Sequence, residues 1–173
     1  MDAPLYNAEI LRLAASVPHA ERLRAPMASA RRTSPICGSR VTADVILDSE
    51  GRVAGYGQEV RACALGQASA AILGGGVIGE TAASLAEAHG LLAGWLKGDG
   101  PLPAALAARF PRLALFEPAR AHPARHASIC LSFDASAQAT AAAGTAQAAA
   151  AAGTAQAAAA AGTAQAPHLK LAG

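Results

Sequence analysis

Residues 41–60, Val-Thr-Ala-Asp-Val-Ile-Leu-Asp-Ser-Glu-Gly-Arg-Val-Ala-Gly-Tyr-Gly-Gln-Glu-Val, constrain the fold more than any other stretch of this chain. Val41, Ala43, Val45 and Leu47 alternate with Thr42 and Asp44, the period of a half-buried strand. Asp48 to Gly51 supply a turn centred near Glu50, and Arg52–Val60 supply a second strand. An antiparallel pair turning there matches positions whose numbers sum to about 100, so Asp48 meets Arg52 and Cys37 meets Cys63. In an unbulged ladder the two cysteine Cβ atoms stand roughly 4.5–5.5 Å apart. Two lone thiols are thereby expected at the open end of one hairpin.

Helical patterns flank the hairpin. Ile10, Leu13, Ala14 and Val17 recur at helical spacing and Pro18 closes that helix, with a loop over residues 19–30. After Cys63, residues 64–73 have helix-forming composition and end at Gly74, Gly75 and Gly76. Thr81 caps the next helix, whose apolar stripe runs through Leu85, Ala88, Leu92 and Trp95 or Leu96. A short helical segment falls near 104–108, an irregular proline-punctuated connection over 110–123, and Pro123 opens a final helix. The expected fold is α+β: a small antiparallel sheet of about three strands, the first near residues 28–34, covered on one face by helices.

From about Ala141 the chain becomes a nine-residue alanine-rich repeat with Gly144, Gly153 and Gly162 at equivalent places. It has no large side chain to bury, and each glycine costs about 1 kcal/mol of helix stability against alanine. The reading is one domain over 1–136 and a low-complexity tail over 137–173, frayed or disordered and without chemistry.

Fourteen basic residues against twelve acidic ones, with no basic stripe interleaved by aromatics, argue against a nucleic-acid binder. No run resembles a membrane span, and the N-terminus lacks the charged and apolar regions of a signal peptide, so a cytoplasmic protein is expected. Gly74–Gly79 formally satisfy a dinucleotide fingerprint, but they end a helix where the fingerprint must open one. His19, His89, His122 and His168 show no metal-ligand spacing, and the serines show no hydrolase arrangement, so no enzyme activity is expected. The thiols remain. Cys63 sits where the helix dipole and unpaired N–H groups stabilise a thiolate able to bind metal or accept sulfur, with Arg61 close in sequence as a local activator. Gly38, beside Cys37, leaves room for a ligand against the backbone.

Cys37-Gly38, the hairpin, Cys63 and the following helix with its Ala-Ser resemble the core of the U-type iron–sulfur cluster assembly scaffolds, the NifU/IscU/SufU type. Residues 5–23 resemble that family's first helix and residues 122–135 its last. The resemblance implies a scaffold that takes sulfur from a cysteine desulfurase and iron, holds a cluster such as [2Fe-2S] or its precursor, and passes it to apo iron–sulfur proteins. It puts family ligands on Cys37 and Cys63. The family's Cys-Gly-Asp aspartate is Ser39 here, and gapless matching of the last helix puts its third cysteine at Ser128. Hydroxyls are poor partners for soft or borderline metals. His126 and Cys130 are spaced i, i+4 and share a helix face. If that face turns to the site, Cys37, Cys63, His126 and Cys130 make a Cys₃His set for a cluster or zinc; if it does not, Cys130 belongs to the core. Gly38, Ser39, Arg61 and Ser128 then surround the ligands. The IscU-branch segment Leu-Pro-Pro-Val-Lys has no counterpart before the last helix. Two other readings stay open: a degenerate adaptor or regulator that docks a desulfurase, and a zinc-binding sulfur-transfer partner.

Overall fold

The computed structural model describes residues 5–36 and 38–163, those from 157 onward as backbone. Helix α1 (Ala8–Ala15) precedes strands β1 (Ala28–Thr33), β2 (Arg40–Leu47) and β3 (Val53–Arg61). Helices α2 (Ala64–Gly74), α3 (Ala82–Lys97) and α4 (Ala104–Arg109) follow, then a 3₁₀ helix (Pro111–Ala121) and the long α5 (Pro123–Thr163). The strands form one antiparallel sheet in the order β1-β2-β3, so the α+β expectation and its first strand hold.

Local chemistry sets the helix starts. The Asn7 side chain accepts hydrogen bonds from the Glu9 and Ile10 N–H groups, which opens α1. Thr81 and Ser84 form a reciprocal capping box at the head of α3. The inner face of the sheet carries Val41, Ala43, Val45 and Tyr56, all buried, and α5 crosses β1 and β2 over that face. Helix α2 lies beside α5 with its first turn following β3, and α1 and α3 pack outside them. Phe133 of α5 meets Phe110 edge to face, 5.2 Å between centroids; burying a ring of this size contributes roughly 1.5–3 kcal/mol. Tyr56 bridges sheet and helix through a 2.7 Å hydrogen bond between its hydroxyl and that of Ser136, and burial pushes its hydroxyl pKa up.

The hairpin departs from the simple register. Ile46 pairs with Gly55 but Leu47 with Val53, a bulge that leaves Ala54 unmatched. Beyond it the partners become Val41 with Val60 and Arg40 with Arg61, and the ladder ends there. Cys63 therefore lies past the last rung, in the cap of α2, and no strand register sets a residue opposite it. Cys37 lies outside the described residues.

The polar face of the hairpin is not simply solvated. Asp44 is fully buried there, held by Arg22 Nε and Nη2 at 2.6 and 2.8 Å, by the Ser29 hydroxyl and by the Leu23 N–H. Burial acts to raise its pKa, but the hydrogen bonds from Arg22, Ser29 and Leu23, with the Arg22 charge, outweigh it and hold the carboxyl below the usual range. Gly57, paired with Asp44, makes room for this loop: a Cβ there would stand 2.5 Å from the Glu21 carbonyl oxygen.

Two segments are more ordered than their composition suggests. Residues 111–121 wind as a 3₁₀ helix rather than an irregular connection, with Leu113, Phe116 and Ala119 buried. Helix α5 does not break at residue 136: Ala137, Ala139, Thr140 and Ala143 are buried, and the Gln147 amide donates to the Asp48 carbonyl at 2.9 Å. Past Gln147 its described side chains face solvent. No described helix is long and apolar enough to cross a membrane.

Candidate functional site

Cys63 occupies the cap position of α2 in extended conformation, φ −65° and ψ 169°, and makes no side-chain capping bond. Its carbonyl accepts the Gln67 N–H at 3.0 Å, fixing the first turn. That leaves the thiol to turn toward α5, where its Sγ lies 3.4 Å from the Ser128 Oγ. The Ser128 hydroxyl in turn donates to the Ser39 hydroxyl at 3.3 Å. Cys63, Ser128 and Ser39 thus form one line of contacts between the start of α2, the first turns of α5 and the loop before β2. Ser128 is fully buried and Ser39 nearly so.

A serine hydroxyl carries one hydrogen. While Ser128 gives it to Ser39, the Cys63 thiol is the donor to Ser128; once Cys63 is a thiolate, the Ser128 hydroxyl can turn to donate to sulfur. The line is therefore suited to both protonation states of Cys63.

Two residues let α2 and α5 meet closely at this point. A Cβ on Gly66 would stand 2.5 Å from the Ser128 Oγ, 2.7 Å from the Ala62 Cβ and 3.1 Å from the Ser128 carbonyl oxygen, so only glycine fits without displacement. One turn further along, the Ser69 hydroxyl donates to the Ile129 carbonyl at 2.6 Å. The loop before β2 is a tight turn: the Gly38 N–H donates to the Ser34 carbonyl at 3.1 Å and the Ser34 N–H to that of Ser39 at 2.7 Å. Gly38 adopts φ +67°, which favours glycine, and nothing lies within 4 Å of where a Cβ would be.

The remaining candidates go elsewhere. Cys130 stands about 200° around α5 from Ser128, and lines a cleft together with His126, Ile36, Leu96 and Lys97. Burial pushes its thiol up to about 12, with Lys97 opposing and Asp134 adding to the shift. The His126 Nε2 lies 3.1 Å from the Ala119 carbonyl and 3.2 Å from that of Arg120, and the ring is buried. Among the described residues no three His, Cys, Asp or Glu side chains converge where a metal ion could sit. His126 and Cys130 share that cleft but Cys63 is not among its walls, and Cys37, the fourth member of that expected set, falls outside the described residues. Arg61 turns to Glu59 at 2.9 Å and is largely exposed, since its side chain lies on the outer sheet face. Gly66 carries no signal in a single sequence, because its need arises only when α5 is docked.

No family model and no curated protein matches the chain. Among solved structures, it superposes on a nitrogen-fixing NifU-like protein (N-terminal) from Brucella abortus with a TM-score of 0.75 and 39% identity, over 82% of this chain and 95% of that one. It also superposes on a putative iron–sulfur cluster assembly scaffold protein for the SUF system from Fervidobacterium islandicum AW-1 with a TM-score of 0.69 and 17% identity, over 79% and 96% of the two chains; that likeness is one of fold. The identity to the Brucella protein over nearly its whole length, on the same sheet and helices, means that the chain belongs to the U-type iron–sulfur cluster assembly scaffold family, in its NifU-like N-terminal form.

Proposed function

We propose that this protein is an iron–sulfur assembly scaffold whose working group is Cys63, which accepts sulfur from a cysteine desulfurase and, with Cys37 and incoming iron, carries a cluster or its precursor as cargo. In the sulfur step the Cys63 thiolate attacks the outer sulfur of a donor cysteine persulfide. The donor's S–S bond breaks, its inner sulfur leaves as thiolate, and Cys63 becomes the persulfide, so the exchange needs no outside oxidant. The observation that carries this reading is the Cys63 thiol at the head of α2 within 3.4 Å of a hydroxyl that can donate to it.

The same hydroxyls limit what the site retains. Ser39 and Ser128 supply oxygen where the family pattern has an aspartate and a cysteine, and neutral hydroxyls bind iron and zinc poorly. The described donor set does not fit a resident zinc. Cargo is therefore held weakly and relayed, apo iron–sulfur proteins being its recipients. These two serines also favour a second reading, in which the chain docks a desulfurase as an adaptor and carries nothing.

Incubation with a cysteine desulfurase and cysteine, followed by alkylation and mass spectrometry, separates the two. The scaffold reading expects one added sulfur on the Cys63 peptide, absent in Cys63→Ser and unchanged in Cys130→Ser. A complex with the desulfurase that never loads Cys63 contradicts it in favour of the adaptor.

A further inference from the structure

The outer face of the sheet is covered over one half only. Around Asp44 the loop through Arg22 and Leu23 lies close upon it. Toward the open end of the hairpin, Arg31, Thr42 and Glu59 form one row across the three strands, and Thr33, Arg40 and Arg61 form the next. No described segment covers these rows: Arg31, Thr33 and Arg61 are exposed, and Arg40, Thr42 and Glu59 are half-buried.

The charge on this half is lopsided. Arg40 and Arg61 are direct cross-strand partners, which sets their Cβ atoms roughly 4.5–5.5 Å apart, and like charges in that relation destabilise a sheet. Arg31 is the diagonal neighbour of Arg40. Glu59 is the one acidic residue in the two rows, and Arg61 takes it at 2.9 Å. Arg31 and Arg40 make no side-chain hydrogen bond or ion pair with any described residue. At the edge of β3, a mixed cleft of about 310 Å³ is lined by Ala14, Val17, Ala20 and Val60 together with Glu59, Arg61 and Gln67.

We infer that this half-sheet is the seat of a partner protein that presents carboxylates, set against Arg31 and Arg40, with its edge over the mixed cleft next to Arg61. Glu59 answers one of the three arginine charges, and charge complementarity to the other two, Arg31 and Arg40, sets both the partner's chemistry and its position. Three arginines without interleaved aromatics are too few for a nucleic-acid track. The seat also has a functional address: Arg61 lies two residues before Cys63, so a protein bound there has its edge at the head of α2. The inference does not depend on what Cys63 carries.

A fluorescent glutamate-rich peptide is the probe. Full-length protein is expected to bind it saturably, more weakly as salt rises, and about tenfold or more weakly in Arg31→Glu/Arg40→Glu. Arg31→Gln/Arg40→Gln should give an intermediate loss with an unchanged melting curve, and Arg112→Glu/Arg125→Glu should bind as wild type. Amide NMR shifts on titration should centre on Arg31, Thr33, Arg40 and Thr42. Equal loss in both charge-reversal pairs, shifts centred elsewhere, or tighter binding to duplex DNA than to the peptide overturns the inference. Sulfur loading of Cys63 is measured separately, so either result leaves that proposal's test intact.

Discussion

Replacing Gly66 by alanine pits two effects of known sign against each other. In an open helix the change contributes about 1 kcal/mol, because glycine is the poorer helix former. At position 66 the new methyl would stand 2.5 Å from the Ser128 Oγ, 2.7 Å from the Ala62 Cβ and 3.1 Å from the Ser128 carbonyl oxygen. The hydroxyl can rotate away, at the expense of its contacts with Cys63 and Ser39, but the Ala62 Cβ and the carbonyl move only with their backbones. Overpacking of this kind costs about 1–3 kcal/mol, so Gly66→Ala is expected to end level with wild type or up to about 2 kcal/mol less stable. Gly90, in α3, is exposed with open space where a Cβ would be; Gly90→Ala should keep the gain of up to about 1 kcal/mol. The two variants differ by the crowding at position 66, against Ser128 of α5 and Ala62 just before α2, about 1–3 kcal/mol. Denaturant unfolding of both, fitted with a common slope, reads that difference, and thermal melts should separate by roughly 2–4 °C per kcal/mol. Equal stability of Gly66→Ala and Gly90→Ala would refute the claim that glycine brings α2 onto Ser128.

Three further outcomes follow from the geometry. Asp44→Asn should lower stability at pH 6 by about 1.5–3 kcal/mol, because a hydrogen-bonded buried carboxylate is replaced by a neutral group. As the native pKa is lowered, that contribution is present above the unfolded value of about 3.9 and fades as pH falls through the native one; the stability gap between wild type and variant should therefore be smaller at pH 3 than at pH 6 in unfolding curves. Cys130, its thiol pushed up to about 12, should resist iodoacetamide at pH 8 in the native protein and react after unfolding. Its linked stability is complete below the unfolded thiol's value of about 8.5 and is lost as pH rises toward the native one. Ending the chain after Gln147 should leave stability unchanged, whereas ending it after Ser136 should cost about 3 kcal/mol, roughly one methyl-sized burial for each of Ala137, Ala139, Thr140 and Ala143; urea unfolding of the two truncations decides it.

The strands were legible because alternation is a local signal: Val41, Ala43, Val45 and Leu47 announce their common face without reference to the rest of the chain. The bulge at Ala54 was not, since nothing in the residue itself says that it goes unpaired, and that one residue changes the register toward the hairpin's open end. The burial of Asp44 was not legible either, because its partner Arg22 lies in a loop with no periodicity. The last helix shows the division most clearly. The i, i+4 relation of His126 and Cys130, and the opposition of Cys130 to Ser128, follow from helix geometry. Which face turns to Cys63 depends on what α2 offers across the contact, and there Gly66 admits Ser128. The buried start of the alanine repeat was hidden for a related reason: alanine has little to bury by itself, yet it fills the narrow space where α5 crosses the sheet.

The most direct test of Cys63 as the working group is anaerobic analysis of iron, zinc and sulfide, with a visible spectrum, after reconstitution with iron and a sulfur source. Wild type, Cys37→Ser/Cys63→Ser and Cys130→Ser are compared side by side. The account predicts bound iron and sulfide in wild type, the same in Cys130→Ser, and neither in the hairpin double variant. Equal loading of wild type and the hairpin variant, or loss in Cys130→Ser alone, would contradict it.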